Sequence, residues 1–325
     1  MGFQDIVNVE KPQSYIDTAF RAGQDKVSSM KKMHRPRLEQ IRFEEIERIR
    51  SASKVLVRAF EKILASFPSI DGLSDFYKEL VRCTLDYDGL KKSFGALNWA
   101  NKKIKYFFKE YDRKIRRSSD VKDVIKYRKE FLGRVASIVT QIKEELEFLE
   151  NARVSFRTYP SIKALPTVAI SGFPNVGKTT LLSKLTTSKP EIAAYPFTTK
   201  SLNIGYAEYN HKKIQFIDTP GTLNRFDKMN YIEKQAFLAI KHCADAIIYV
   251  FDLTEPYPIE EQERLLVRLK ESSKKIILYL SKTDILDKEI VAEFNKRYDA
   301  ATSIEELNRR LLDILDLDSK RARKL

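Results

Sequence analysis

Residues 167–180 read Thr167-Val168-Ala169-Ile170-Ser171-Gly172-Phe173-Pro174-Asn175-Val176-Gly177-Lys178-Thr179-Thr180, a short apolar run followed at once by G-x-x-x-x-G-K-T. In this pattern the glycines let backbone N–H groups turn inward around phosphate oxygens. The lysine adds a positive charge at the β- and γ-phosphates, and the threonine hydroxyl can ligate Mg2+. A helix that begins at the lysine points its positive end at the same anion. From average residue frequencies, a chance match in a chain of 325 residues is roughly a one per cent event. The stretch predicts strand, phosphate loop and helix in succession, the opening unit of a parallel α/β sheet.

Outward from this stretch the texture agrees. Beyond Tyr159-Pro160, β-rich runs recur at 167–171 (TVAIS), 202–209 (LNIGYAEY), 213–217 (KIQFI), 246–251 (AIIYVF) and 275–280 (KIILYL). Helical patterns fall between and after them, near 177–187, 229–241, 258–272, 287–296 and 304–315. Continuous apolar runs such as AIIYVF, rather than alternating ones, belong to a sheet covered on both faces. Residues 161–325 are therefore expected to form a doubly wound, mostly parallel α/β domain, entered through a linker marked by Pro160 and Pro166. Residues 1–160 carry helical spacing instead. From Arg37 to Phe67, residues Leu38, Ile41, Ile46, Ile49, Val55, Leu56, Phe60, Ile63 and Leu64 recur at three- and four-residue intervals. Similar patterns cover 74–86, 90–116 and 120–150, with Ser119 or Asp120 as a cap for the last. Helices of this length cannot bury their stripes alone, so an all-α bundle is expected.

Composition narrows the class. Apolar residues make up 43%, charged residues 32% and aromatics 11%, which excludes disordered, collagen-like and disulfide-scaffold chains. Two cysteines without a C-x-x-C, and three scattered histidines, build neither a zinc site nor a disulfide framework, and point to a reducing compartment. No apolar run approaches the ~18 residues of a membrane span, and the N-terminus lacks a signal-peptide core. A soluble cytoplasmic protein is expected. The net charge is +14, with 34 basic against 23 acidic residues before Leu165 and 25 against 22 from there on. One half thus faces something polyanionic. Between Lys91 and Glu130 there are 14 basic and 5 acidic residues, interleaved with Tyr106, Phe107, Phe108 and Tyr111. The aromatics read as bundle core and the charges as an RNA-binding face. A membrane surface is the rival polyanion; without a lipidation motif or amphipathic anchor, none is expected.

Three further elements follow the phosphate loop. Asp218-Thr219-Pro220-Gly221 comes directly after KIQFI, where a carboxylate can meet Mg2+ and a glycine N–H can reach a γ-phosphate. Ser281-Lys282-Thr283-Asp284 follows KIILYL. A carboxylate there can accept both N1–H and the exocyclic amine of guanine, a pairing adenine does not return, with Lys282 over the ring. Tyr195-Pro196-Phe197-Thr198-Thr199 lies between the first helix and the second strand, where a threonine can complete the Mg2+ shell only while a γ-phosphate is present.

Together GFPNVGKTT, YPFTTKSLNIG and DTPG, in this spacing, resemble the Obg-related GTPases of the translation-factor class. The long helical region ahead of them resembles the nucleolar GTP-binding protein (Nog) subfamily, whose members act in assembly of the large ribosomal subunit. The motif resemblance covers 166–284; the helical half adds size, order and basicity. The resemblance implies a P-loop GTPase that hydrolyses GTP with Mg2+, working as a switch, with precursor rRNA as partner. It implies that Gly172 through Thr180, Asp218 through Gly221, Ser281 through Asp284 and Ala301 bind GTP or GDP. Thr179, Thr199 and Asp218 would hold the metal, and Lys178, Thr199 and Gly221 would act in hydrolysis. Ser281 stands where relatives carry an asparagine that tethers the phosphate loop. The fifth motif is degraded to Ala300-Ala301-Thr302, with Ala301 expected to give its N–H to the base. Thr222 stands where a water-orienting glutamine is found in Ras-like enzymes, so slow hydrolysis is expected, assisted by a partner or a monovalent cation. Asn175 matches an asparagine that helps hold K+ in potassium-activated relatives, and Arg225 reads as a solvated loop charge. Two alternatives stand beside the switch: an rRNA-binding placeholder that keeps guanine nucleotide for structure, and a GTPase for another ribosomal or tRNA substrate. Eukaryotic members of the subfamily carry long C-terminal extensions, so a chain ending soon after its last helix points to a cell without a nucleolus.

Overall fold

The computed structural model describes residues 3–31, 35–186, 191–192, 203–219, 231–254 and 257–315. The chain divides into two compact units, one of Met1–Gly72 with Leu85–Arg157, the other of Leu73–Thr84 with Thr158–Leu325.

The first unit is helical: α1 (Pro12–Ser28), α2 (Arg37–Ser66), α4 (Tyr87–Arg117), α5 (Val121–Gln141) and α6 (Lys143–Arg157). Pro12 opens α1 at a position whose missing N–H would have no partner anyway. Asp86 caps α4, its carboxylate accepting from the N–H groups of Asp88 at 3.1 Å and Gly89 at 3.0 Å. The stripe read from the sequence of α2 faces the core: Ile46, Ile49, Leu56, Phe60 and Ile63 are buried, and Tyr111 and Phe131 join them from α4 and α5. The buried Glu45 bridges two helices, 2.9 Å from Arg48 and 3.4 Å from Arg128. The single helix expected over 120–150 is instead two, broken at Ile142 (φ −92°, ψ 22°). Neither glycine nor proline marks the break. Thr140 Oγ1 donates back to the Ala136 carbonyl at 2.9 Å, a local bond that bends a helix. Asp120 takes the N-cap position of α5 but makes no side-chain cap bond.

The second unit holds one sheet in the order β2-β3-β4-β1-β5-β6, with β1 (Thr167–Ser171), β2 (Glu191–Ile192), β3 (Asn203–Tyr209), β4 (Lys212–Asp218), β5 (Ala246–Phe251) and β6 (Lys275–Leu280). Strands β1, β4, β5 and β6 are parallel, while β3 and β2 extend the edge antiparallel. Every residue of β1 and β5 is buried, as the continuous apolar runs require. Helices α7 (Lys178–Leu185), α8 (Tyr231–Cys243), α9 (Ile259–Lys270), α10 (Lys288–Tyr298) and α11 (Ile304–Ile314) connect and follow the strands. No strand was expected at the two-residue β2, which has too few residues to carry a periodicity.

A third piece of this unit comes from far upstream. Helix α3 (Asp75–Thr84) groups with the sheet, so the units do not part at a single point near residue 160. Its Glu79 carboxylate meets Lys241 Nζ at 3.3 Å and His242 Nε2 at 3.0 Å on α8. Its Tyr77 hydroxyl donates to the Pro160 carbonyl at 2.8 Å and accepts the Ile162 N–H at 3.0 Å. One phenol therefore pins the segment that leads into β1. Tyr77→Phe strands both backbone groups and should destabilise this unit by about 1–2 kcal/mol, read as a lower thermal midpoint; an unchanged midpoint would show the phenol to be dispensable there.

Candidate nucleotide site

The phosphate loop spans the turn from β1 into α7. Gly177, the N-cap of α7, has φ 91°, a backbone state in which a side chain is strained. A Cβ placed on Gly172 would lie 2.6 Å from the Val250 carbonyl oxygen, so the loop passes directly against β5. A Cβ on Gly177 would lie 3.8 Å from Ser281 Cβ, which brings the fourth motif alongside the loop. Phe173 and Val176 are buried under it, Phe173 against the ring of Tyr257 at 4.9 Å between centroids. Pro174 is half-buried, while Asn175 (φ 62°), Thr179 and Thr180 are exposed.

Asp218, the last residue of β4, is the junction of the site. Its Oδ2 accepts from Thr179 Oγ1 at 2.6 Å and from Asn203 Nδ2 at 3.2 Å. Its Oδ1 is buried with no hydrogen-bond partner among the described residues. Burial pushes the Asp218 carboxyl above the usual range, against the two donors and the Lys178 charge, which pull it down. Lys178, also buried, donates to the Phe173 carbonyl oxygen. Desolvation brings its pKa down to about 8, opposed by Asp218. Both groups are thus displaced toward neutrality, and each is missing a strong opposite charge. Thr219 fastens the third motif to β1, its N–H and Oγ1 both donating to the Ile170 carbonyl at 3.1 and 2.8 Å.

An orphaned carboxylate oxygen beside a hydroxyl is a hard-oxygen donor set, and it fits Mg2+. Thr179 and Asp218 would hold the ion, which when bound offsets charge on the β- and γ-phosphate oxygens. Among the described residues there is no cluster of three or more His, Cys, Asp or Glu. Thr199, Pro220 and Gly221, the other residues expected here, lie outside the described residues. A cavity of about 820 Å3 in this unit lies elsewhere, lined by Thr167, His242 and Lys275. Motif chemistry rather than cavity size locates the site.

The fourth motif is anchored to β5. Ser281 Oγ and N–H both donate to the Phe251 carbonyl at 2.9 Å. Lys282, in a left-handed backbone (φ 52°), sets its ammonium 2.7 Å from Oδ2 of the fully buried Asp252. Its charge already has a partner, so toward a base it offers its methylene stem. Thr283 is half-buried and Asp284 exposed. Ala301 departs from expectation. Its N–H donates to the Leu278 carbonyl and its own carbonyl accepts from Leu280 N–H, both at 2.9 Å, extending the edge of β6. That N–H is spent within the sheet and does not serve a base. The following N–H, of Thr302, goes to Glu306 Oε2 at 3.1 Å.

Two residues of this site escaped the sequence reading. Asp252 ends the apolar run AIIYVF just as Asp218 ends KIQFI, and that parallel was the available signal. Its Oδ1 accepts from Thr254 N–H at 2.8 Å and from Thr254 Oγ1 at 2.7 Å, and Gln262 holds the backbone around it. Asn203 reaches Asp218 because the two are cross-strand partners, a register with no mark in the sequence.

Residues 3–163 match the family model described as the NOG1 N-terminal helical domain, and residues 167–282 match that of the 50S ribosome-binding GTPases. The chain belongs to the Nog family of GTP-binding GTPases. A protein of Methanocaldococcus jannaschii described as uncharacterized is 39% identical over 293 residues, 89% of this chain and 83% of that one. The nucleolar GTP-binding protein 1 of Kluyveromyces lactis is 30% identical over 305 residues, covering 91% of this chain and 47% of that one. This chain thus spans about half the length of its eukaryotic Nog relatives. Among solved structures, the G domain of the Thermotoga maritima FeoB iron transporter overlaps 46% of the chain and 98% of its own length, at 30% identity and a TM-score of 0.38.

In this Nog chain the pairing of Lys282 with Asp252 yields a direct test. Asp252→Asn keeps the shape and removes the charge that fixes the lysine. Guanine nucleotide affinity should fall about tenfold, and the same change in a Lys282→Met background should cost nothing further, the signature of a coupled pair. Additive losses in that double-mutant cycle would separate Asp252 from the base.

Proposed function

We propose that this chain is a Mg2+-dependent GTP hydrolase of slow intrinsic rate, acting as a switch in large-ribosomal-subunit assembly, with RNA held by its basic helical unit. The observation that carries the hydrolase reading is the cluster of Lys178, Thr179 and Asp218, with one buried carboxylate oxygen left open beside a hydroxyl. Lys178 would bind the β- and γ-phosphates, Thr179 and Asp218 the metal, and Lys282 with Asp284 the guanine. Thr199 and Gly221 would face the γ-phosphate, so that the loops carrying them sense GTP against GDP. The exposed Asn175, in its left-handed backbone, supports a part for K+, measured as faster hydrolysis in K+ than in Na+.

The ribosomal setting is supported by the matching family of 50S ribosome-binding GTPases and by relatives named nucleolar GTP-binding protein 1. The +11 balance of the residues before Leu165 supports an rRNA partner. No helix among the described residues is long and apolar enough to cross a membrane. A cytoplasmic place of action is part of the same proposal. A second reading, a placeholder that binds RNA and keeps its nucleotide, is favoured by one observation. The Ser281 hydroxyl is spent on Phe251 and leaves the phosphate loop untethered from that side.

Titration of GTP, GDP, ATP and a non-hydrolysable GTP analogue, with and without purified large subunits, separates these readings. The switch requires guanine preference and an analogue that tightens subunit binding, with subunits tightening the analogue by the same factor. Guanine binding without that coupling leaves the placeholder; indifference between guanine and adenine sinks both. The Lys178 pKa adds a pH signature. Phosphate needs the charged lysine, so affinity for GTP should hold below about pH 8 and fall toward tenfold per unit above it, with proton uptake on binding. Calorimetry in two buffers of different ionisation enthalpy reads that proton, and Lys178→Met should bind weakly with no such pH dependence.

A further inference from the structure

Helix α4 of the first unit exposes two large aromatic rings, Trp99 at 39% and Tyr106 at 59%. Seven residues bring a helix back to nearly the same face, so the rings share one stripe about 10 Å apart along the axis. Lys102, Lys103, Lys109, Arg113 and Arg117 flank them on that stripe, all exposed. None of these five has an ion-pair partner among the described residues. The neighbouring cations of α4 that lie off the stripe are paired: Lys105 with Glu61 at 2.8 Å and Arg116 with Asp112 at 2.9 Å. Glu110, the acidic residue on the stripe, is taken up by Lys114 at 2.6 Å. The buried side of the helix has its own aromatic, Tyr111, fully enclosed against Phe131 at 6.0 Å between centroids. The core reading of the α4 aromatics therefore holds for Tyr111 and fails for Tyr106.

We infer that the Trp99–Tyr106 stripe of α4 binds single-stranded RNA, bases stacking on the two rings and phosphates lying against the flanking cations. The inference rests on the RNA reading above and specifies it. A row of five unpaired cations repels itself in water and is relieved by a polyanion. Exposed rings among them gain nothing from a duplex, whose bases are stacked away. They gain contact area from unpaired bases, each of which offers a π-face. About 10 Å is about three rises of a stacked strand at about 3.4 Å each. Bases on the two rings would then be separated by intervening nucleotides beside Lys102 and Lys103. A lipid surface is disfavoured, because two rings among five cations leave no continuous apolar face to insert.

Trp99 is the only tryptophan of the chain, so its emission reports on this stripe alone. The full chain is titrated with an unstructured RNA strand, with that strand annealed to its complement, with heparin, and with phosphatidylserine-containing vesicles. Expected are quenching of Trp99 by the single strand and none by duplex or heparin. Tyr106→Ala should weaken the single strand about tenfold and duplex binding by less than about twofold. Tyr106→Phe should restore the strand. Single-strand binding with unchanged Trp99 emission, or an equal loss of strand and duplex in Tyr106→Ala, overturns the stacking stripe while RNA binding stands. Absence of RNA binding of any form overturns the RNA reading itself. A blue-shifted emission with vesicles and no response to RNA assigns the stripe to lipid.

Discussion

The buried carboxylate of Asp218 is the constraint on which the second unit turns. It ends β4, is held by Asn203 at the start of β3 and by Thr179 in the first turn of α7, and shares its field with Lys178. Three elements and the phosphate loop therefore meet at one side chain. Burying a carboxylate is costly unless its oxygens are satisfied. Here one oxygen has two donors and the other has none. A region that merely needed to fold would gain from an apolar residue at this place. The retained charge makes sense for a site built to receive a cation.

The fourth motif obeys a different logic. Where an asparagine side chain would lean on the phosphate loop, Ser281 leans on the end of β5, and Lys282 leans on Asp252 beyond it. The loop of the fourth motif is positioned from the sheet rather than from the phosphate loop. Gly177 and Ser281 still come close, a Cβ on Gly177 lying 3.8 Å from that of Ser281. The two halves of the site are thus mechanically more separate than a direct tether would make them.

Much of this was legible in the chain because it depends on local chemistry. Short β-rich runs mark β1, β3, β4, β5 and β6, and the glycine-lysine-threonine spacing locates the loop and α7. What escaped depends on distant partners. Helix α3 has an ordinary amphipathic pattern; its attachment to the sheet unit is decided by Tyr77 and Glu79 meeting Pro160, Ile162, Lys241 and His242. The break at Ile142 has neither glycine nor proline to mark it, and the Thr140 hydroxyl bond beside it has counterparts in unbroken helices such as that of Ser93 in α4. Ala301 looked like a loop donor because A-A-T carries no sign that its N–H is taken by the edge of β6. Tyr106 and Tyr111 sit in one basic-aromatic segment and are told apart only by which side of α4 meets the bundle.

Lys178 and Asp218 carry an electrostatic mismatch that a phosphate and a cation would relieve. Burial moves Lys178 down and Asp218 up, so each charge is carried at a cost that the other only partly offsets. A phosphate supplies what the lysine lacks, and a divalent ion supplies what the carboxylate lacks. Either one alone leaves the second charge unmatched, whereas the two together also neutralise each other. Binding of metal and nucleotide should therefore be mutually reinforcing, through the same two side chains. Thr179, whose hydroxyl donates to Asp218, would help to hold such an ion beside the carboxylate. Asn203 would still donate to that carboxylate with an ion bound, because the cross-strand register of β3 with β4 sets it opposite Asp218.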